Sequence, residues 1–180
     1  MSSGADHGPE APSLAALKAA FADVPRPDTR PLSEAERTAL RDRLNSARPG
    51  ETVRLTHRED TARTEMGIVR TREDVVSLYE LVQGEYRQPQ ASPVSAEFGA
   101  GILAAIEWAT GVERLAPVTG EAAAQFPPSG IQLYHEQVAA LDVAERRRQH
   151  VRGQSWAVGV EHTLMWLTAR TTERPWGQSG

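Results

Sequence analysis

Histidines are the first side chains here that could do chemistry. The chain has five, His7, His57, His135, His150 and His162. The pairs His135-Glu136 and Glu161-His162 lie in segments of helical periodicity. A zinc-protease helix needs H-E-x-x-H, so that two imidazoles one turn apart face one metal. Ala139 stands where the second His would be, and the motif is absent. A di-iron bundle needs E-x-x-H on two helices. Gln132 and Gly159 occupy the required glutamate positions. A metal held by His135, His162 and carboxylates would need a tertiary coincidence. Ordinary surface or half-buried histidines are the expectation, with no cofactor.

Nucleophilic chemistry has no better footing. There is no cysteine and no G-x-S-x-G. Ser129 and Ser155 read as helix caps. The sole lysine is Lys18, and no phosphate-cradling glycine loop precedes it, so P-loop chemistry is excluded. The neighbours Glu59-Asp60 and Glu73-Asp74 are adjacent in sequence; the second pair suits a helix N-terminus, where the macrodipole favours negative charge. No catalytic residue is assigned. An enzyme using His135, Glu136 or His162 is the third-ranked reading.

Arg146, Arg147, Arg148 and Arg152, with His150 among them, form the densest cationic run. Pairing with a helix C-terminal dipole explains such a run. A phosphate contact is the functional alternative. With 24 acidic and 20 basic residues, the net charge is −4, so the chain offers phosphate no global attraction.

The elements that must position these groups show a self-match. Phe98, Gly101, Trp108 and Pro117 have the spacing aromatic-x2-G-x6-W-x8-P. Trp156, Gly159, Trp166 and Pro175 repeat it 58 positions on. Upstream, Val76-Ser-Leu-Tyr79 resembles Ile131-Gln-Leu-Tyr134 at an offset of 55. Two helix-loop-helix copies follow, about 72–117 and 130–175. A helical hairpin cannot bury its apolar face alone, so two copies share a core. A Gly inside a helix costs about 1 kcal/mol relative to Ala. Its presence near an indole therefore points to a close helix crossing. Trp166 and Met165 are adjacent and cannot face the same way, which favours a second packing surface.

The remaining punctuation is local. Residues 1–12 read as a disordered tail, and Ser13 opens a short helix with Leu14, Leu17 and Phe21 on one face. Pro25, Pro27 and Pro31 break it, leaving 1–32 as a tail. Ser33 and Glu36 form a capping box for a helix carrying Leu40 and Leu44. The Thr- and Arg-rich stretch 52–70 is expected to be a small β-hairpin or an irregular loop. Thr71 and Asp74 open a helix with Val75, Leu78, Val82 and Tyr86 on one stripe, ended by Pro89. Ser95 opens the next, stopped at Gly111. Ser129 opens the longest, carrying Ile131, Tyr134, Val138 and Leu141 as its apolar stripe, as far as Gly153. The fold class is mainly α: a four-helix-like bundle within one domain, 33–177.

The segment Trp156-Ala-Val-Gly159-Val-Glu-His-Thr-Leu-Met-Trp166, followed by Pro175-Trp176, resembles a pattern in small helical proteins of actinobacteria and their phages. There an aromatic-x2-G-x6-W helix is followed by Pro-Pro or Pro-Trp. The likeness covers about 128–177, and 93–120 as the other copy. Thr163 departs from the Ala of that pattern. The resemblance brings no catalytic residues. An Arg-rich, nearly lysine-free composition fits the same GC-rich source.

The function these features favour is a non-catalytic interaction or regulatory protein acting through helical surfaces. Its partner is a second copy or another protein. A nucleic-acid-binding regulator is the alternative. No apolar run spans a membrane and no leader is evident, so the expected location is cytoplasmic.

Overall fold

A computed structural model describes residues 13–22, 28–86 and 92–177, without the side chains of Leu17, Ala20, Phe21, Tyr86 and Pro93. The tail at 1–12, Pro25, Pro27 and Pro89 lie outside these described residues, as do the stripe positions Leu17, Phe21 and Tyr86 as side chains. Seven helices are present among the described residues: α1 (Leu14–Ala22), α2 (Glu34–Ser46), α3 (His57–Met66), α4 (Arg72–Tyr86), α5 (Pro93–Thr110), α6 (Gly130–Ala144) and α7 (Gln154–Leu167). No strand occurs among them; the one β-type contact is an isolated bridge between Leu115 and Ala122. The protein is an all-α bundle.

Local chemistry starts and stops these helices. Ser33 and Glu36 complete a capping box on α2, and Ser129 and Gln132 do the same on α6. The Thr71 hydroxyl accepts from the Asp74 N–H at the start of α4. The start of α5 differs from expectation: Ser92, not Ser95, is the cap, because Pro93 takes the first helical position and lacks an N–H to satisfy. Gly111 ends α5 with φ +84°.

α5 and α7 share the largest interface, and the central core forms around them and between them and α4 and α6. Leu78, Ile102, Leu133 and Leu164 are fully enclosed there. The two glycines of the self-match sit where α5 and α7 cross. A Cβ on Gly101 would lie 2.0 Å from the Trp156 carbonyl oxygen, and one on Gly159 would lie 2.2 Å from the Phe98 carbonyl oxygen. Trp156 precedes Gly159 by the interval at which Phe98 precedes Gly101. Each glycine therefore faces the counterpart of what the other faces, which is the contact pattern of a two-fold axis.

The helix ends repeat the relation. The Thr110 hydroxyl donates to the Ile106 carbonyl at 2.7 Å, and the Thr168 hydroxyl to the Leu164 carbonyl at 2.7 Å. Ala169, 58 positions after Gly111, holds φ +51° with the same backbone closure onto the preceding Trp. α4 and α6 also begin 58 apart. The [VI]-x-L-Y likeness at 55 lies off that register by about one turn.

A smaller layer covers one side. Leu32, Leu40, Leu44, Ala62 and Val69 form a second cluster under α2 and α3. Arg70, buried, ties this layer to the bundle. Its guanidinium donates to the carbonyls of Leu44, Trp166 and Thr171 and lies 5.5 Å over the Trp166 ring. The Leu44 and Trp166 carbonyls belong to helix C-termini, whose partial negative charge suits a cation. Burial pulls the Arg70 pKa down, partly opposed by Asp74.

Three further sequence expectations are corrected. The hairpin at 52–70 is not formed: 57–66 is helix α3. The reason is a Thr56–Glu59 capping box, in which the Thr56 hydroxyl accepts from the Glu59 N–H while the Glu59 carboxylate accepts from the Thr56 N–H. The long helix stops at Ala144 rather than near Gly153, which leaves α5, with 18 residues, the longest. Its end is a turn in which Arg146 adopts φ +61° and the Arg147 and Arg148 N–H groups close on the Asp142 carbonyl. Finally, Ile131, Tyr134 and Val138 face outward instead of forming the core face of α6. The inward face is Leu133, Glu136, Gln137, Ala140 and Val143.

Candidate functional site

The six residues of the glycine–aromatic self-match come together, and they do so in the interior. Trp108, Trp156 and Trp166 are buried. Phe98 is half-buried and stacks on Trp176 at 5.9 Å between ring centroids. Trp156 stacks under His150 at 5.1 Å. The Trp176 indole N–H donates to Glu85, which docks the end of the second hairpin onto α4 of the first. These residues join the two hairpins to each other and present little surface to a partner.

Arg146, Arg147, Arg148 and Arg152 lie in the exposed turn between α6 and α7, not on a helix end. Arg147 is paired with Asp142 and Glu145. Arg152 pairs with Glu97 at 3.5 Å. Arg146 donates to the Gln154 amide oxygen at 2.9 Å. Arg148 makes no ion pair among the described residues. Three carboxylates thus interleave with the four guanidinium groups, and the run is locally compensated.

The histidines are dispersed. His135 is exposed beside Tyr134. His162 is exposed, with its Nε2 4.0 Å from Glu161, a carboxyl whose pKa burial raises and His162 opposes. No group of three or more His, Asp or Glu side chains could hold a metal among the described residues.

Glu136 has a different role from the one its place beside His135 indicated. It is buried, and its carboxylate accepts from the Val118 and Thr119 N–H groups and from the Thr119 hydroxyl. It clamps the α5–α6 connection, satisfying donors that would otherwise be stranded. Arg63 is likewise buried, donating to the Thr168 carbonyl and pairing with Asp60. Nothing local in the sequence marks Glu136, Arg63 or Arg70 as buried: apart from the Asp60 partner of Arg63, the groups they bond lie 17 to 105 positions away.

Three exposed large hydrophobics share one helix, α6. Ile131, 52% exposed, is followed at helical spacing by the exposed Tyr134 and Val138. The Arg170 guanidinium lies over the Tyr134 ring, 4.6 Å from its centroid. Arg170 is partly desolvated, and burial and the nearby Arg63 lower its pKa, opposed by Asp60. Arg170 also lines a crevice of about 750 Å³ with His57, Asp60, Arg63 and Thr171. The crevice mixes both charge signs. Of these side chains, Tyr134 and Arg170 are of the types enriched in interface hot spots, whereas valine is under-represented there. A second, more apolar groove of about 820 Å³ runs along α4 and α5, where Val76, Tyr79, Ile106 and Val112 line it. The Tyr79 hydroxyl donates to Glu107 at 2.9 Å along it.

No helix among the described residues is long and apolar enough to cross a membrane. No protein-family model matches this chain, and neither a curated protein nor a solved structure matches it.

Proposed function

We propose that this protein is a non-catalytic interaction or regulatory module that binds another protein through the outer face of α6. One observation carries the reading: Ile131, Tyr134 and Val138 stand exposed at helical spacing with Arg170 stacked on the tyrosine. Aliphatic side chains exposed singly are ordinary on any surface, but an ordered row beside a pre-positioned arginine is what a helical partner would grip. We place the chain, on the likeness of its Trp156–Trp176 segment, with the small helical proteins of actinobacteria and their phages.

The test compares the wild type with an Ile131→Asp, Val138→Asp double variant in capture from the source cells. Both side chains face solvent, so the fold should survive, as checked by circular dichroism. The reading expects a protein retained by the wild type and lost by the variant. Equal retention of every captured protein by both would sink it. Against the nucleic-acid alternative weighs the pairing of Arg147 and Arg152 with carboxylates. That alternative expects a salt-sensitive shift of duplex DNA, abolished by charge reversal at Arg146, Arg147, Arg148 and Arg152.

A further inference from the structure

We propose that the groove along α4 and α5 receives helix α1 of a second copy of this chain. The argument starts from what α3 does in the second hairpin. α3 lies against the start of α6 and the end of α7. The Thr64 carbonyl sits where a Cβ on Gly130 would be, Gly67 meets the Leu133 side chain, Arg63 donates to the Thr168 carbonyl, and Asp60 and Arg63 act on Arg170. The counterparts of Gly130, Leu133, Thr168 and Arg170, 58 positions earlier, are Arg72, Val75, Thr110 and Val112. All four line the α4–α5 groove. The groove is therefore the first hairpin's version of the seat that a short helix fills in the second, except that Arg72 stands where Gly130 admits the Thr64 carbonyl, so an occupant sits further out at that end. It stands open, with Val112 72% exposed and Val76 exposed beside it.

α1 is the helix without a seat. It has 9 residues, close to the 10 of α3, and the sequence LAALKAAFA. Leu14 is 68% exposed, and among the described residues α1 makes no substantial contact with any other helix. Such a short helix is marginal in water unless an apolar face is packed. In the groove its one charge, Lys18, would come beside Glu80 and Glu107, and the same lining carries Arg70 and Arg72. Among the described residues, none from α1 lines the groove. Exchange between two copies fills both grooves with both helices and closes as a dimer. This goes beyond the α6 reading and uses a different face.

The test uses the full chain. Light scattering over a concentration series should give a dimer. Leu14→Asp in α1 and Val76→Asp in the groove should each weaken dimerisation by about tenfold or more, since each buries a charge in an apolar contact. The chain has no cysteine. An Ala19→Cys chain mixed with a Gln83→Cys chain should therefore form a disulfide-linked heterodimer on mild oxidation. The Ile131→Asp, Val138→Asp variant should dimerise as the wild type does, which separates this proposal from the α6 reading. A wild type that is monomeric throughout would overturn the proposal. So would a dimer indifferent to both aspartates, or a disulfide that forms only within a chain carrying both cysteines.

Discussion

At the crossing of α5 and α7, two physical effects on a single methyl group oppose each other. Intrinsic propensity favours Ala over Gly inside a helix by about 1 kcal/mol. Sterics oppose it, because the added Cβ would lie 2.2 Å from the Phe98 oxygen at Gly159 and 2.0 Å from the Trp156 oxygen at Gly101. Those oxygens belong to helix backbone and cannot swing aside, so the helices must separate. Overpacking of this kind costs about 1–3 kcal/mol, and sterics win. Gly159→Ala and Gly101→Ala should each lower the midpoint of urea denaturation. Gly84→Ala, with open space around its Cβ, should hold or raise it, by up to about 1 kcal/mol. A stabilising Gly159→Ala would mean that the crossing is not close. The crossing is legible in the sequence because a mid-helix glycine two turns from a tryptophan, twice over, is a cost that only a close backbone approach offsets. Glu136 is not legible in the same way. Its role depends on the Val118 and Thr119 backbone, which only the tertiary fold brings to it.

Among the elements, α3 shows where pattern reasoning stops. Its sequence HREDTARTEM has no apolar period, and Ala62 is its one apolar side chain that is buried. Periodicity cannot find it, yet a T-x-x-E capping signature stands at 56–59. The helix is held by its ends: the box at Thr56, the Arg43–Glu59 ion pair at 2.8 Å, and Arg63 reaching the end of α7. Loss of the cap should therefore be felt directly. Thr56→Ala is expected to lower thermal stability by about 1 kcal/mol, read from the unfolding midpoint. No change would mean that packing on α6, not the cap, holds α3. The converse holds on α6, where a well-formed stripe of Ile131, Tyr134 and Val138 reads as core and lies outside it. The inner face instead uses Ala139 and Ala140, whose small size admits close neighbours, and polar Glu136 and Gln137. Periodicity locates a stripe without saying which way it points when both faces carry apolar groups.

Across the whole molecule, stability is not shared evenly. α5 and α7 anchor the central cluster and join both hairpins, whereas α2 and α3 rest on five buried apolar residues and on arginine contacts to carbonyls. A hydrogen bond from a guanidinium to a carbonyl contributes about 1.5–3 kcal/mol net, much like burial of one large side chain, and the outer layer has few of either beside the central cluster. The outer layer should thus open before the bundle does. In native-state hydrogen exchange, amides of α2 and α3 should exchange through openings of lower free energy than those of α5 and α7. Gly159→Ala should lower protection in α5 and α7 together, because the crossing belongs to both. Thr56→Ala should lower it in α3 and leave the central pair nearly unchanged. Equal opening energies for α3 and α5 in the wild type would show one cooperative unit. In that case the α2–α3 layer would be integral to the bundle rather than laid upon it, and the open α4–α5 groove would lose the argument that a short helix is a separable occupant of such a seat.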